Sequence, residues 1–495
     1  MLFNSYLFIF LFLPLALVGW YGLNRYKAYR LAQVFLVGMS LWFYAYFNIS
    51  YLGIILTSCL VNYAISAGVE HTENIRIRKW YLILGCGLNI GLLGYFKYVD
   101  FFIENVNLIF GTDYVLQNIV LPLGISFFTL QQLSFVIDRC KGKAPHYSML
   151  EYLQFVTFFP QLIAGPIVLH SELIPQFRDA SKRKFDMESF AYGMAWFCFG
   201  LAKKVLLADN LAKAVNYGFT HVTGLDTISA IVVALAFTFE LYFDFSGYCD
   251  MAVGIGKMFR IEIPDNFNAP YQSASVKEFW RRWHMTLGRF FTQYIYIPLG
   301  GNRRGTVRTC INTMIVFCVS GLWHGASWNY VFWGFLHGIG VAFSQVMSGV
   351  KGRTETVSGR IRVLGKRMIT FVYVCIAFVF FRSESLTQGF TFIRQLCSMS
   401  NSGRVFIVAE QLQLPECYVI TKLLSMKAEW LLPYFHLVVL AMILGISVWL
   451  ICGKTTRQRL ECRELTIGLS WKITILFVWS VISLTGVSTF LYFNF

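Results

Sequence analysis

Runs of about 20 mostly apolar residues recur from one end of this chain to the other, and no other feature restricts its fold as strongly. They fall near 2–20, 31–47, 49–68, 80–98, 115–137, 150–168, 189–208, 227–248, 308–323, 326–347, 368–382, 431–452 and 470–490. Helix of that length is what crosses a bilayer, because without water every backbone N–H and C=O must be satisfied inside the segment. With 56% hydrophobic and 14% charged residues, the chain is far below the roughly one-quarter charged content of soluble domains. Some runs are short enough to be re-entrant, so the expectation is an all-α polytopic membrane protein with about ten to thirteen membrane helices. No internal repeat stands out, the loops are too short for a soluble catalytic domain, and residues 1–495 read as a single integral membrane domain.

Lys+Arg total 42 against 26 Asp+Glu. The basic residues sit in short clusters between apolar runs, which is how cytoplasmic loops are marked; membrane lipid is the expected partner of this charge, and nucleic acid is not. Leu2–Val18 has no basic lead and no small-residue cleavage site, so it reads as a retained span, and Arg25, Lys27 and Arg30 put the first loop in the cytoplasm. Lys351–Arg367, mostly basic among its charges, reads as cytoplasmic, as does the cluster Lys454, Arg457, Arg459 and Arg463. Residues 383–430 then become an extracytoplasmic loop and 490–495 an extracytoplasmic aromatic tail. The 12 cysteines are scattered without a C-x-x-C pair, so they read as small buried residues, and no metal site is expected. Cys397 and Cys417 share the extracytoplasmic loop, which leaves a disulfide between them open.

An ionisable side chain within an apolar run costs about 2.5–3.5 kcal/mol at a helix centre and is a functional candidate by default. His324 is the clearest, in Ser320-Gly321-Leu322-Trp323-His324-Gly325-Ala326-Ser327-Trp328-Asn329. Continuous helix would surround it with Gly321, Ser320, Ser327 and Trp328, mostly small, leaving room for an acyl chain. A neutral imidazole can take the proton of an attacking hydroxyl at neutral pH. Val276–Phe291 reads as an amphipathic interfacial helix, with Phe279, Trp280, Trp283, Leu287 and Phe291 on one face and Lys277, Arg281, Arg282 and Arg289 elsewhere. It carries His284, a second polar group for a substrate. Trp280 and Trp323 flank the two histidines as substrate-contacting candidates. His337, about 220° around a continuous helix from His324, falls outside this group. Glu240, Asp244 and Asp250 are expected to pair with the arginines of the amphipathic helix. His221 and Asp226 fit H-x-x-x-x-D, a pattern of another glycerolipid acyltransferase class, but without its context. Nothing matches G-x-S-x-G, a phosphate-binding loop or a dinucleotide-binding loop.

Several segments together resemble the membrane-bound O-acyltransferase superfamily. They are Phe159–Pro166, Tyr242–Tyr248, Pro264–Tyr271, Phe279–His284, Tyr296–Arg303 and Leu322–Gly325, and the likeness is closest to the bacterial branch that O-acetylates alginate or peptidoglycan. It implies helices around a central tunnel, where a cytoplasmic donor, acetyl-CoA, meets an acceptor from outside near the histidines. His324 would correspond to the family's invariant histidine and His284 to its second. No bound cofactor is implied. An extracytoplasmic SGNH-hydrolase-like partner would complete transfer to sugar, and the tail Phe490-Leu491-Tyr492-Phe493-Asn494-Phe495 is similar to a motif whose tyrosine carries the acyl group. Alternatives are a transporter or scaffold that supplies or recruits the partner without forming an acyl bond, or D-alanyl transfer to teichoic acid.

Overall fold

The computed structural model describes residues 1–347, 357–460, 464, 466–484 and 490–491. Lys351, Arg353 and Arg463 of the basic clusters, and Tyr492 of the tail, lie outside the described residues. Among the described residues the chain is helical, with no strand. The principal helices are α1 (Phe8–Arg25), α2 (Tyr29–Ala45), α3 (Ser50–Glu70), α4 (Ile75–Phe110), α5 (Ile125–Cys140), α6 (Met149–Thr157), α7 (His170–Arg178), α8 (Met187–Thr220), α9 (Thr227–Met258), α10 (Val276–Trp280), α11 (Met285–Phe291), α12 (Gly305–His324), α13 (Trp328–Val346), α14 (Val357–Arg382), α15 (Leu386–Leu396), α16 (Leu432–Cys452) and α17 (Ile467–Ile482).

Eight of these regions are long and apolar enough to cross a membrane: α1, α3, α4, α8, α9, α12, the Arg360–Arg382 stretch of α14, and α16 with the residues leading into it. α17 is a shorter apolar helix, and α2, α5 and α13 are further helices outside that set. The protein is an all-α, multi-pass membrane protein.

The chain forms two compact units. One holds Met1–Cys198 and Tyr248–Asp265, and a group of its buried polar side chains satisfy one another across three helices. Asn62 of α3 donates to Gln132 Oε1 of α5 at 2.5 Å, Asn89 of α4 donates to Asn62 Oδ1 at 2.6 Å, and Ser58 donates to Gln132 at 3.0 Å. Gly193 and Gly254 let two backbones touch, since a Cβ on either would lie 2.6–2.7 Å from the other's carbonyl oxygen.

The second unit holds Phe199–Gly247 and Asn266–Leu491. Its helices α12 and α13 form an antiparallel hairpin closed by Gly325–Ser327. Backbone-to-backbone contact fixes the pair, because a Cβ on Gly321 would lie 2.2 Å from Tyr330 O and one on Gly334 2.2 Å from Phe317 O. In the segment 383–430, Cys397 and Cys417 are both free thiols.

The H-x-x-x-x-D pattern has a structural explanation in this unit. His221 is exposed and stacked on Tyr217 at 4.4 Å, while Asp226 is a buried cap at the start of α9. Asp226 accepts from Ser229 N–H at 2.8 Å, Ser402 N–H at 2.8 Å and Arg404 N–H at 3.2 Å, tying segment 400–404 to the helix. Burial opposes its charge, but these hydrogen bonds outweigh burial and hold the carboxyl at about 2. Asp226→Ala should cost about 1–2 kcal/mol in thermal unfolding of the purified protein. Because the folded pKa is depressed, the contribution is present above the ordinary carboxylate range and is lost as the pH falls through about 2.

Candidate functional site

The end of α12 builds the site. His324 is its last residue, and the extended Gly325 that follows turns the chain back into α13. The continuous helix expected through His324 is therefore interrupted. Gly321 does not border a cavity either: its missing side chain is what admits the Tyr330 carbonyl. His324 is 3% exposed. Aromatic rings wall it in, with centroids of Trp323 at 4.9 Å, Trp333 at 5.0 Å and Phe381 at 5.3 Å, all near perpendicular.

The single amphipathic helix expected over Val276–Phe291 is two short helices, α10 and α11. His284 sits between them with φ of +46°, the left-handed region, which breaks the helix and swings the imidazole inward. Two hydrogen bonds from the loop before α10 stabilise that break: Asn268 N–H to Arg282 O and Met285 N–H to Asn266 O, both 2.9 Å. The side chain of Asn266 does the rest. Its Oδ1 accepts from Thr286 N–H at 3.2 Å and Thr286 Oγ–H at 3.0 Å, so the same atom faces His284 Nδ1 at 3.1 Å as an acceptor. The neutral ring of His284 accordingly carries its proton on Nδ1, and Nε2 is its lone-pair nitrogen. His284 is 1% exposed, packs edge-on against Phe245 at 4.8 Å, and its ring centre is 6.4 Å from that of His324.

Of the two tryptophans expected to contact substrate, one lies beside the imidazoles. Trp323 lies against both imidazoles, at 4.9 Å from His324 and 6.3 Å from His284. Trp280 stands one ring further out, packed on Trp333 at 5.6 Å and donating its indole N–H to His337 Nδ1 at 3.1 Å. His337 thus has a part that helical spacing did not suggest, because α13 runs back alongside α12. It is fully buried, orients Trp280, and is linked to His324 through Trp333, which lies 5.0 Å from each.

The expected pairing of Asp244 with arginines of the amphipathic segment is not what forms. Arg282 pairs with Glu278 at 2.7 Å, and Asp244 pairs with Lys204 of α8 at 2.5 Å. Lys204 sits inside the apolar run 189–208, so the rule that singles out His324 applied equally to it. Trp333, Phe381 and Asn266 carried no comparable signal: aromatic and amide residues are common along the chain, and only the hairpin and the left-handed break give these three their roles. Among the described residues no cluster of three His, Cys, Asp or Glu side chains could hold a metal ion.

Residues 141–387 match the membrane-bound O-acyltransferase family, a stretch that contains Trp280, His284, Trp323 and His324. A peptidoglycan O-acetyltransferase of Helicobacter pylori is 40% identical over 82% of this chain and 83% of its own. The probable alginate O-acetylase AlgI of Pseudomonas aeruginosa is 39% identical over 78% of this chain and 73% of its own. A teichoic acid D-alanyltransferase of Bacillus subtilis is 24% identical over 54% of this chain and 70% of its own.

Because the hairpin rests on backbone contact, Gly321→Ala should destabilise the purified protein by about 1–3 kcal/mol in thermal unfolding. The reference is Gly445→Ala in α16, where a Cβ meets nothing within 4 Å and stability should hold or rise. Equal effects at the two glycines would contradict this account of the turn at His324.

Proposed function

This chain belongs to the membrane-bound O-acyltransferase family and is an O-acyltransferase, and we propose that it carries acetyl groups across a bacterial cytoplasmic membrane for O-acetylation of a cell-envelope polysaccharide, peptidoglycan or alginate. The acyl donor in this reading is acetyl-CoA, and an extracytoplasmic SGNH-hydrolase-like protein finishes the transfer to sugar. The observation that carries it is the pair of buried imidazoles, 6.4 Å apart inside the family-matched stretch and enclosed by Trp323, Trp333 and Phe381. Acetylation is favoured over D-alanylation by the likeness itself, which spans about four-fifths of the chain for the acetyltransferase and about half for the D-alanyltransferase.

In the proposed chemistry His324 acts as general base and acid, while His284, oriented by Asn266, is the second polar contact for the reacting groups. A phenol with a pKa near 10 needs such a base to become a nucleophile. Tyr492 loses its proton to His324, and its oxygen attacks the thioester carbonyl. The C–S bond breaks, and the departing thiolate takes the proton back from the imidazolium. A hydroxyl of the partner then attacks the acetyl-tyrosine ester and releases the phenol. Support for Tyr492 comes from its chain neighbours: Leu491 donates its N–H to Asp244 at 2.9 Å, and Phe245, next to Asp244, packs on His284. Enclosure by aromatic rings favours acyl transfer over hydrolysis, since water competes for the same thioester.

His324→Ala should lower acetyl transfer by about 10² to 10⁴-fold while leaving membrane insertion and partner copurification unchanged. Acetylation at the wild-type rate in that variant would leave only transport or scaffolding. A second outcome concerns the relay. Brief exposure of the purified protein to acetyl-CoA should yield a peptide acetylated at Tyr492 by mass spectrometry, and Tyr492→Phe should abolish both the adduct and the transfer. Identification of the copurifying hydrolase-like protein separates peptidoglycan from alginate.

A further inference from the structure

An ion pair stands in the second unit where an apolar contact would cost less. Lys204 lies midway along α8 and Asp244 midway along α9, and each residue is 2% exposed. The ammonium is 2.5 Å from Asp244 Oδ1 and 2.8 Å from Asp209 Oδ1. Two features of the chain bring them together. Gly247 lets α9 press on α8, since a Cβ there would lie 2.8 Å from Gly200 O and 3.3 Å from Lys204 N. The turns of α8 from Lys203 to Ala208 are π-helical, a widened geometry that is frequent at functional sites. Burying two charges in the middle of apolar helices is unfavourable unless further partners use them, and replacement by apolar side chains is often neutral for stability.

Those further partners are consecutive residues of the tail. The second carboxylate oxygen of Asp244 accepts the Leu491 N–H at 2.9 Å, and the Lys204 ammonium sits 4.7 Å from the centre of the Phe490 ring. Phe490 is 1% exposed. Each member of the pair thus also contacts the tail: the anion holds backbone, and the cation holds an aromatic face. Tyr492 is the next residue of the sequence. On the other side, Asp244 is followed by Phe245, whose ring is 4.8 Å from that of His284.

We propose that Lys204 and Asp244 are positioning residues for acyl transfer: they dock the chain at Phe490 and Leu491, the two residues that lead into Tyr492. The role rests on the reading of Tyr492 as the acyl carrier. It differs from that of a plain inter-helix ion pair in what Asp244 must supply, namely a hydrogen-bond acceptor for a backbone N–H rather than a charge. Asn at 244 keeps that acceptor and Leu does not.

The test compares wild-type protein, Asp244→Asn and the double variant K204M/D244L, which removes both buried charges and leaves Asp209, whose side chain is 23% exposed, to solvent. Three quantities are read on each: the melting temperature, the point at which a carboxypeptidase stops trimming the tail, and the rate of Tyr492 acetylation from acetyl-CoA. Wild type and D244N should resist trimming beyond Leu491 and differ by less than about tenfold in rate. The double variant should melt near the wild-type temperature yet be trimmed past Phe490, and its acetylation should fall about 100-fold with an unchanged KM for acetyl-CoA, the loss expected of a misplaced nucleophile. Trimming that stops at the same residue in the double variant, or acetylation at the wild-type rate in it, overturns the proposal. Deeper trimming of the double variant in a protein whose wild-type tail never carries acetyl removes the Tyr492 relay and leaves the docking role of the pair intact.

Discussion

Within hydrocarbon, a polar group can be satisfied only by another part of the protein, and the architecture of this chain follows from that requirement. In the first unit the carboxamides of Asn62, Asn89 and Gln132 close on one another across three helices. In the second the same demand is met by the indole of Trp280 on His337, by His284 on Asn266, and by Lys204 on Asp244. Each bond joins elements distant in sequence, so each also fixes how helices lie against one another. The site is the place where several of these bonds converge around two imidazoles.

Close backbone approach is the second device. Where Gly321 meets the Tyr330 carbonyl and Gly334 meets that of Phe317, α12 and α13 lie nearer than side chains would permit, which sets Trp333 edge-on against His324. The left-handed turn at His284 achieves a comparable result by different means: strain at one residue is balanced by the hydrogen bonds of Asn266 and its neighbours. One histidine is thus presented by packing of helices and the other by a broken helix.

The family relationship fits this division of labour. The matched stretch 141–387 contains both imidazoles and the aromatic rings Trp323, Trp333 and Phe381. Beyond it lie residues 400–404, held by Asp226, and Phe490 and Leu491, held by Lys204 and Asp244.

Much of this was legible in the residues. Repeated apolar runs set an all-helical membrane protein, and an ionisable side chain at the end of such a run singled out His324. Ordered motifs around Phe279–His284 and Leu322–Gly325 added His284 and the flanking tryptophans. Helical periodicity failed where the helix itself stopped: it extended α12 through Gly325, joined α10 to α11, and so misjudged the use of Gly321, while His337, kept apart from His324, is separated from it by Trp333. Pairing of Asp244 was assigned to arginines nearby in sequence, whereas Lys204 answers it from a helix forty residues earlier. Length and polarity along a chain determine which segments must be buried helix and which polar groups within them are costly. They do not determine which costly group meets which, because that depends on helix crossings, and it was the tertiary structure, through contacts such as Gly247 on Gly200 and Gly321 on Tyr330, that decided the partners.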